Sequence, residues 1–162
     1  MMLPEEMKEI EFLRNLGEPH VNRIAKLARL KECEKGTIVF RQGQGSPFIY
    51  FVLNGEVGLQ IEESGGESVE VSTVGPGGLL GWSPMLGRQA MTATARAVTP
   101  CQLAVLDVHQ LLEVCEQDPR FGIAFLRQIA SVMSDRLWDM RRNFARALSH
   151  RPVLAAVPEG SD

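Results

Sequence analysis

Val74-Gly75-Pro76-Gly77-Gly78-Leu79-Leu80-Gly81 is the stretch of this chain that restricts its fold most sharply. Four of its eight residues are glycine, the residue that serves tight turns. Ser83 and Pro84 then suit the start of a short helix. After Gly81 and ten intervening residues comes Thr92-Ala93-Thr94-Ala95-Arg96-Ala97, in which polar and small side chains alternate with the period of a strand.

Outward from this turn the pattern remains one of short β-branched and aromatic runs. Ile38 to Phe40, Phe48 to Leu53, Val57/Leu59/Ile61 and Val69/Val71 precede it, separated by glycine-bearing turns, and Leu103 to Leu106 follows. Such closely spaced strands predict an antiparallel roll or sandwich. Ahead of Lys31, Met7, Ile10 and Leu13 share one helical face and Val21, Ile24, Leu27 and Ala28 another, which predicts two short opening helices. Asp107 with Gln110 three residues on, and Asp118 followed by Pro119, mark two helix starts after the strands. The expected fold is α+β: a jelly-roll-like, antiparallel double-stranded β-roll with N-terminal helices and a long C-terminal helix. The expected boundaries are helices in residues 1–30, the roll in 31–107, C-terminal helices in 108–150 and a flexible tail in 151–162. That tail has two prolines, no helical period and one apolar run, Val153 to Val157.

In the last helix Leu126, Ala130, Met133, Leu137, Met140, Phe144 and Ala147 follow alternating steps of four and three, a three-heptad seam. The stripe suits either packing on its own roll or a two-fold helix pair. A helix of about 30 residues spans roughly 45 Å, more than a small roll needs, and this favours a homodimer through Leu126, Ala130, Met133, Leu137, Met140 and Phe144.

The glycine segment with its following Thr92–Ala97 strand closely resembles the phosphate-binding cassette of the cyclic-nucleotide-binding domain family, the family of catabolite activator-like β-rolls. Lys35-Gly36-Thr37, the Gln42-Gly43 turn and Phe51-Val52-Leu53-Asn54-Gly55-Glu56-Val57 are similar to the glycine-punctuated first half of the same domain. The likeness extends over roughly residues 12 to 140. It implies that Gly81, Trp82, Ser83, Met85, Leu86, Met91 and Thr92 border a ligand pocket; Trp138, on the last helix, is either its lid or a packing residue. In such a cassette backbone N–H groups face an anion while charged side chains pair the phosphate and the ribose hydroxyl.

The charged side chains are replaced here. Trp82 stands where the family pattern has a ribose-binding glutamate, and Met91 where it has the phosphate-binding arginine; Thr92 keeps a hydroxyl. Arg96 matches a second, mainly structural arginine, and Arg88, in the loop before Met91, is the candidate anion contact. Ser83 and Pro84 leave room for an anion-facing backbone turn from Gly81 to Met85. A hydrogen bond to a charged group contributes about 1.5 to 3 kcal/mol, so loss of two predicts binding weaker by roughly two to four powers of ten. Three outcomes stay open: side chains fill the pocket, it accepts a more apolar small molecule, or it holds a cyclic nucleotide in an unusual way. No resident cofactor is expected.

Other chemistry finds little support. His20, His109 and His150 lie on separate elements, and Cys33, Cys101 and Cys115 show no ligand spacing, so neither a metal site nor a disulfide framework is expected. No triad, Walker loop or dinucleotide fingerprint is present, which argues against an enzyme. The net charge of −3 gives no general attraction to nucleic acid, although Arg136, Arg141, Arg142, Arg146 and Arg151 make the last helix basic towards its end. The dozen residues beyond His150 are too few for a helix-turn-helix module. Without a membrane span or a basic leader, the expectation is a cytoplasmic, dimeric regulatory or interaction module that acts through an unnamed protein partner. Its alternative is a small-molecule sensor signalling through the long helix.

Overall fold

Ile49, Tyr50, Phe51 and Val52 are buried in succession, which a strand allows only when both of its faces are covered. Tyr50 and Val52 point into an apolar interior shared with Val39, Val57, Leu80 and Leu103. Phe51 points the other way, its ring centroid 5.1 Å from that of Phe12.

The computed structural model describes residues 4–150. Helices α1 (Pro4–Lys8), α2 (Glu11–Arg14) and α3 (Glu18–Leu27) precede strands β1 (Arg29–Cys33), β2 (Ile38–Phe40), β3 (Phe48–Asn54), β4 (Val57–Glu62) and β5 (Ser68–Val74). Strands β6 (Leu79–Leu80), β7 (Thr94–Ala97) and β8 (Cys101–Asp107) follow, then helices α4 (Val108–Gln117) and α5 (Pro119–Ser149). Two four-stranded antiparallel sheets, ordered β1-β8-β3-β6 and β2-β7-β4-β5, make the β-roll. The α+β class, the antiparallel roll and the long last helix are as the sequence pattern implies.

Several details differ from the sequence expectation. The N-terminal stripe Met7, Ile10, Leu13 is buried, yet it is shared by two short helices because Ile10 is extended (φ −76°, ψ 115°). With α3 this makes three opening helices instead of two. Leu79 and Leu80, inside the glycine-rich segment, form the short β6 against Phe51 and Tyr50. Strand β7 begins at Thr94, leaving Thr92 outside it, and β1 starts at Arg29.

Both C-terminal helix starts are capped as predicted. Asp107 Oδ1 accepts hydrogen bonds from the His109 and Gln110 amides at 2.8 and 3.2 Å, and Asp118 Oδ1 accepts one from Phe121 N at 3.3 Å. Each satisfies an amide that the first helical turn leaves without an intrahelical partner. Phe125 stacks with Phe121 (5.6 Å) and meets Phe12 edge-on (5.2 Å), so the start of α5 shares one aromatic core with α2 and β3.

The chain divides into two units, Met1–Ile129 and Ala130–Asp162, with the boundary inside α5. Among the described residues, the first holds the roll and all the buried hydrophobic residues. The second, over its described residues, is a single helical segment. The expected flexible tail, 151–162, and Arg151 with it, lies outside the described residues.

Candidate functional site

The site is assembled around Gly81, immediately after β6. Its φ of +75° is the left-handed conformation that glycine adopts without the steric penalty of a side chain. A Cβ built there would stand 3.1 Å from Phe48 O, 3.3 Å from Tyr50 Cδ2 and 3.5 Å from Met91 Cε. Backbone and two side chains therefore converge on one point.

Met91 is 3% exposed. Its position is held from both sides, since Met91 N donates to Gln44 O (2.9 Å) and Met91 O accepts from Gly43 N (2.8 Å). That pairing ties the end of the cassette loop to the turn after β2. Beside it, Tyr50 lies in tilted contact with Phe40, ring centroids 5.8 Å apart. The Tyr50 hydroxyl is 3.5 Å from Ser46 Oγ, and burial pushes its phenol above the ordinary value of 10.0. Sequence reasoning passed over Tyr50 because nothing local in Phe48–Asn54 says which of its aromatic residues reaches Gly81. Its pairing with Leu80, the residue before Gly81, decides that.

Ser83–Leu86 forms one short 3-10 turn with Ser83 and Met85 buried, Trp82 half-buried and Leu86 exposed. The anion-facing backbone expected from Gly81 to Met85 is reduced. Pro84 has no N–H, and Met85 N donates to Trp82 O at 2.9 Å. Downstream, Gly87 N and Arg88 N are used on Pro84 O (3.2 Å) and Ser83 O (3.1 Å). Thr92, expected to line the pocket, is exposed. Of the two threonines the buried one is Thr94, whose hydroxyl accepts from Gln42 N at 3.0 Å, while Gln42 Oε1 accepts from Glu62 N at 2.8 Å. Arg96 donates to Gly36 O at 3.1 Å and so ties β7 to the turn before β2.

Arg88 is exposed and borders an open cleft of about 410 Å³. Gly45, Ser46 and Pro47 line one side of it, and Pro84, Gly87, Arg88 and Gln89 the other. Among the described residues no cluster of three or more His, Cys, Asp or Glu is placed to hold a metal ion. Cys115 is half-buried; Cys33 and Cys101 are buried and all three thiols are free.

Residues 30–118 match the family model of the cyclic nucleotide-binding domain. The chain belongs to the cyclic nucleotide-binding domain family. It is 37% identical over 111 residues to human patatin-like phospholipase domain-containing protein 6, a match covering 68% of this chain and 8% of that protein. Among solved structures it is similar to a cyclic nucleotide-binding domain from Methylobacillus flagellatus, with a TM-score of 0.79 and 18% identity, covering 94% of this chain and 86% of that one. It is likewise similar to the c-di-GMP-responsive global regulator of Xanthomonas campestris, with a TM-score of 0.74 and 22% identity, covering 90% and 76%. At those identities the structural likeness establishes a shared fold. The chain spans at most 29% of the length of the curated relatives it matches.

In the second unit the heptad residues are solvent-facing. Met133 and Leu137 are exposed, Met140 is 63% exposed and Phe144 66%. Leu126 and Ala130, either side of the unit boundary, are exposed as well, whereas Ile129 is buried. Trp138, expected as a lid or a packing residue, belongs to the second unit and is 61% exposed. No helix among the described residues is long and apolar enough to cross a membrane.

Proposed function

We propose that this chain is a regulatory module of the cyclic nucleotide-binding fold whose nucleotide site is closed by its own Met91 and Tyr50. The observation that carries this reading is the burial of Met91 against Gly81. Entry of a cyclic phosphate at that point requires displacing a packed apolar side chain and leaving the anion without its arginine partner. Desolvation of an unpaired phosphate is costly, so ordinary capture of cAMP or cGMP is lost. The module's output is through association: the exposed stripe of Met133, Leu137, Met140 and Phe144 pairs with the same stripe of a second copy. A two-fold pair suits it because one self-complementary seam serves both partners.

Calorimetric titration with cAMP, cGMP and c-di-GMP tests the closed site, the last because one structural neighbour responds to it. No heat of binding at millimolar ligand is the expected result. Micromolar binding of any of the three overturns it.

A second reading, a small-molecule sensor without resident cofactor, is favoured by the cleft at Arg88. Its occupant enters from outside the cassette and meets one exposed guanidinium flanked by prolines and glycines. A stabilising shift in melting temperature with a small carboxylate or phosphate ester, abolished by Arg88→Ala, distinguishes this reading from the first.

A further inference from the structure

Cys33 closes β1 and Cys101 opens β8, and the two face each other directly in the antiparallel ladder. Opposed residues in such a ladder have Cα atoms about 5.5 Å apart in a hydrogen-bonded pair and about 4.5 Å apart otherwise. Either spacing falls within the roughly 4.4 to 6.8 Å that a disulfide spans. Both side chains belong to the interior cluster of the roll, at 4% and 3% exposure, so they point to the same face. Opposed Cβ atoms stand about 4.5 to 5.5 Å apart, against about 3.5 to 4.5 Å in a disulfide. Closure therefore asks for a movement of about 1 Å. The pair sits where that movement is easiest, because β1 is an edge strand with four of its five residues exposed and Cys33 is its last residue.

We propose that Cys33 and Cys101 are a cross-strand oxidation site, reduced in the state described and closed to a disulfide by a small-molecule disulfide oxidant. In the first step the Cys33 thiolate attacks a sulfur of the oxidant, whose S–S bond breaks and releases one thiol. The Cys101 thiolate then attacks the Cys33 sulfur of the mixed disulfide and expels the second thiol. Two protein thiols become one disulfide, and one oxidant disulfide becomes two thiols.

The bond would be read at a neighbouring turn. Cys101 Sγ now lies 3.1 Å from both Glu56 O and Thr99 O, and a Cβ on Gly55 would stand 2.9 Å from it. Drawing Sγ towards Cys33 releases these carbonyls and loosens the β3–β4 turn over Gly55. Burial holds the Cys33 thiol above its ordinary value, so oxidation is slow and proceeds through local opening of β1.

The full chain is incubated with oxidised glutathione at mildly alkaline pH, then denatured, alkylated, digested and mapped without reductant. The expected result is a peptide joining Cys33 to Cys101, with Cys115 still alkylated and no glutathione retained. A rise in melting temperature of several degrees accompanies it, because the bridge restrains the unfolded chain. That rise disappears in Cys33→Ser and persists in Cys115→Ser. Alkylation of both Cys33 and Cys101 after exposure, stable glutathione on either, or a Cys115-linked dimer in place of the bridge overturns the proposal. The peptide map on the unaltered chain gives the answer whether or not the variants fold.

Discussion

Met91 closes over Gly81, its terminal methyl 3.5 Å from where a Cβ on that glycine would stand. An apolar, flexible side chain thus meets the left-handed backbone position that ends the glycine-rich segment.

Restoring the charged pair tests this relationship. Trp82→Glu with Met91→Arg is expected to raise cAMP affinity by roughly two to four powers of ten, since each charged hydrogen bond contributes about 1.5 to 3 kcal/mol. Without ligand the double variant melts lower than the unaltered chain, because an arginine without a partner replaces a packed side chain. Calorimetric titration reads the affinity. A folded double variant that gains none shows that the cassette register is misread.

Gly81→Ala probes the same point from the backbone side. The left-handed conformation costs a non-glycine residue about 1 to 2 kcal/mol, and here the new methyl also presses on Phe48 O at 3.1 Å. A loss of about 2 kcal/mol or more in urea unfolding is expected. A neutral result would mean that the turn has room to relax.

At the helical seam, Leu137→Glu is expected to give a monomer by light scattering while leaving the unfolding transition of the roll unchanged. Leu137 is exposed within its own chain, so a charge there costs the fold little and a paired interface much. An unaltered chain that is already monomeric defeats the homodimer proposal.

Stability should fall in alkali. Burial raises the Tyr50 phenol above 10.0 and the Cys33 and Cys115 thiols above 9.0, so the folded state holds these protons to higher pH than the unfolded state does. Stability from these groups is fully present below their ordinary values and declines as pH rises past them towards the folded values. Urea midpoints should be level from neutral pH to about 8.5 and then drop. Tyr50→Phe should lessen the part of the decline that lies above pH 10.

Much of the architecture is legible in the one-dimensional pattern. The glycine-punctuated runs, the Asp107 and Asp118 caps and the four-three stripe from Leu126 to Ala147 are local signals, each set by neighbours within a turn or a strand. The presence of Trp82 and Met91 in and after the glycine-rich segment is equally visible without coordinates, since it is a matter of residue identity. The stripe from Met7 to Leu13 misled only in continuity: its burial pattern is helical, but the break at Ile10 depends on packing around it.

Which side chains meet at Gly81 was decided by tertiary structure. Tyr50 reaches Gly81 because β3 pairs with β6 in one register, and Thr94 in place of Thr92 becomes the buried threonine because β7 starts two residues later than its alternation suggests. Cys33 faces Cys101 across 67 intervening residues for the same kind of reason. Composition and spacing along the chain determined the elements and their order. Which distant side chains meet was set by strand register, where a slip of one residue turns every side chain to the opposite face.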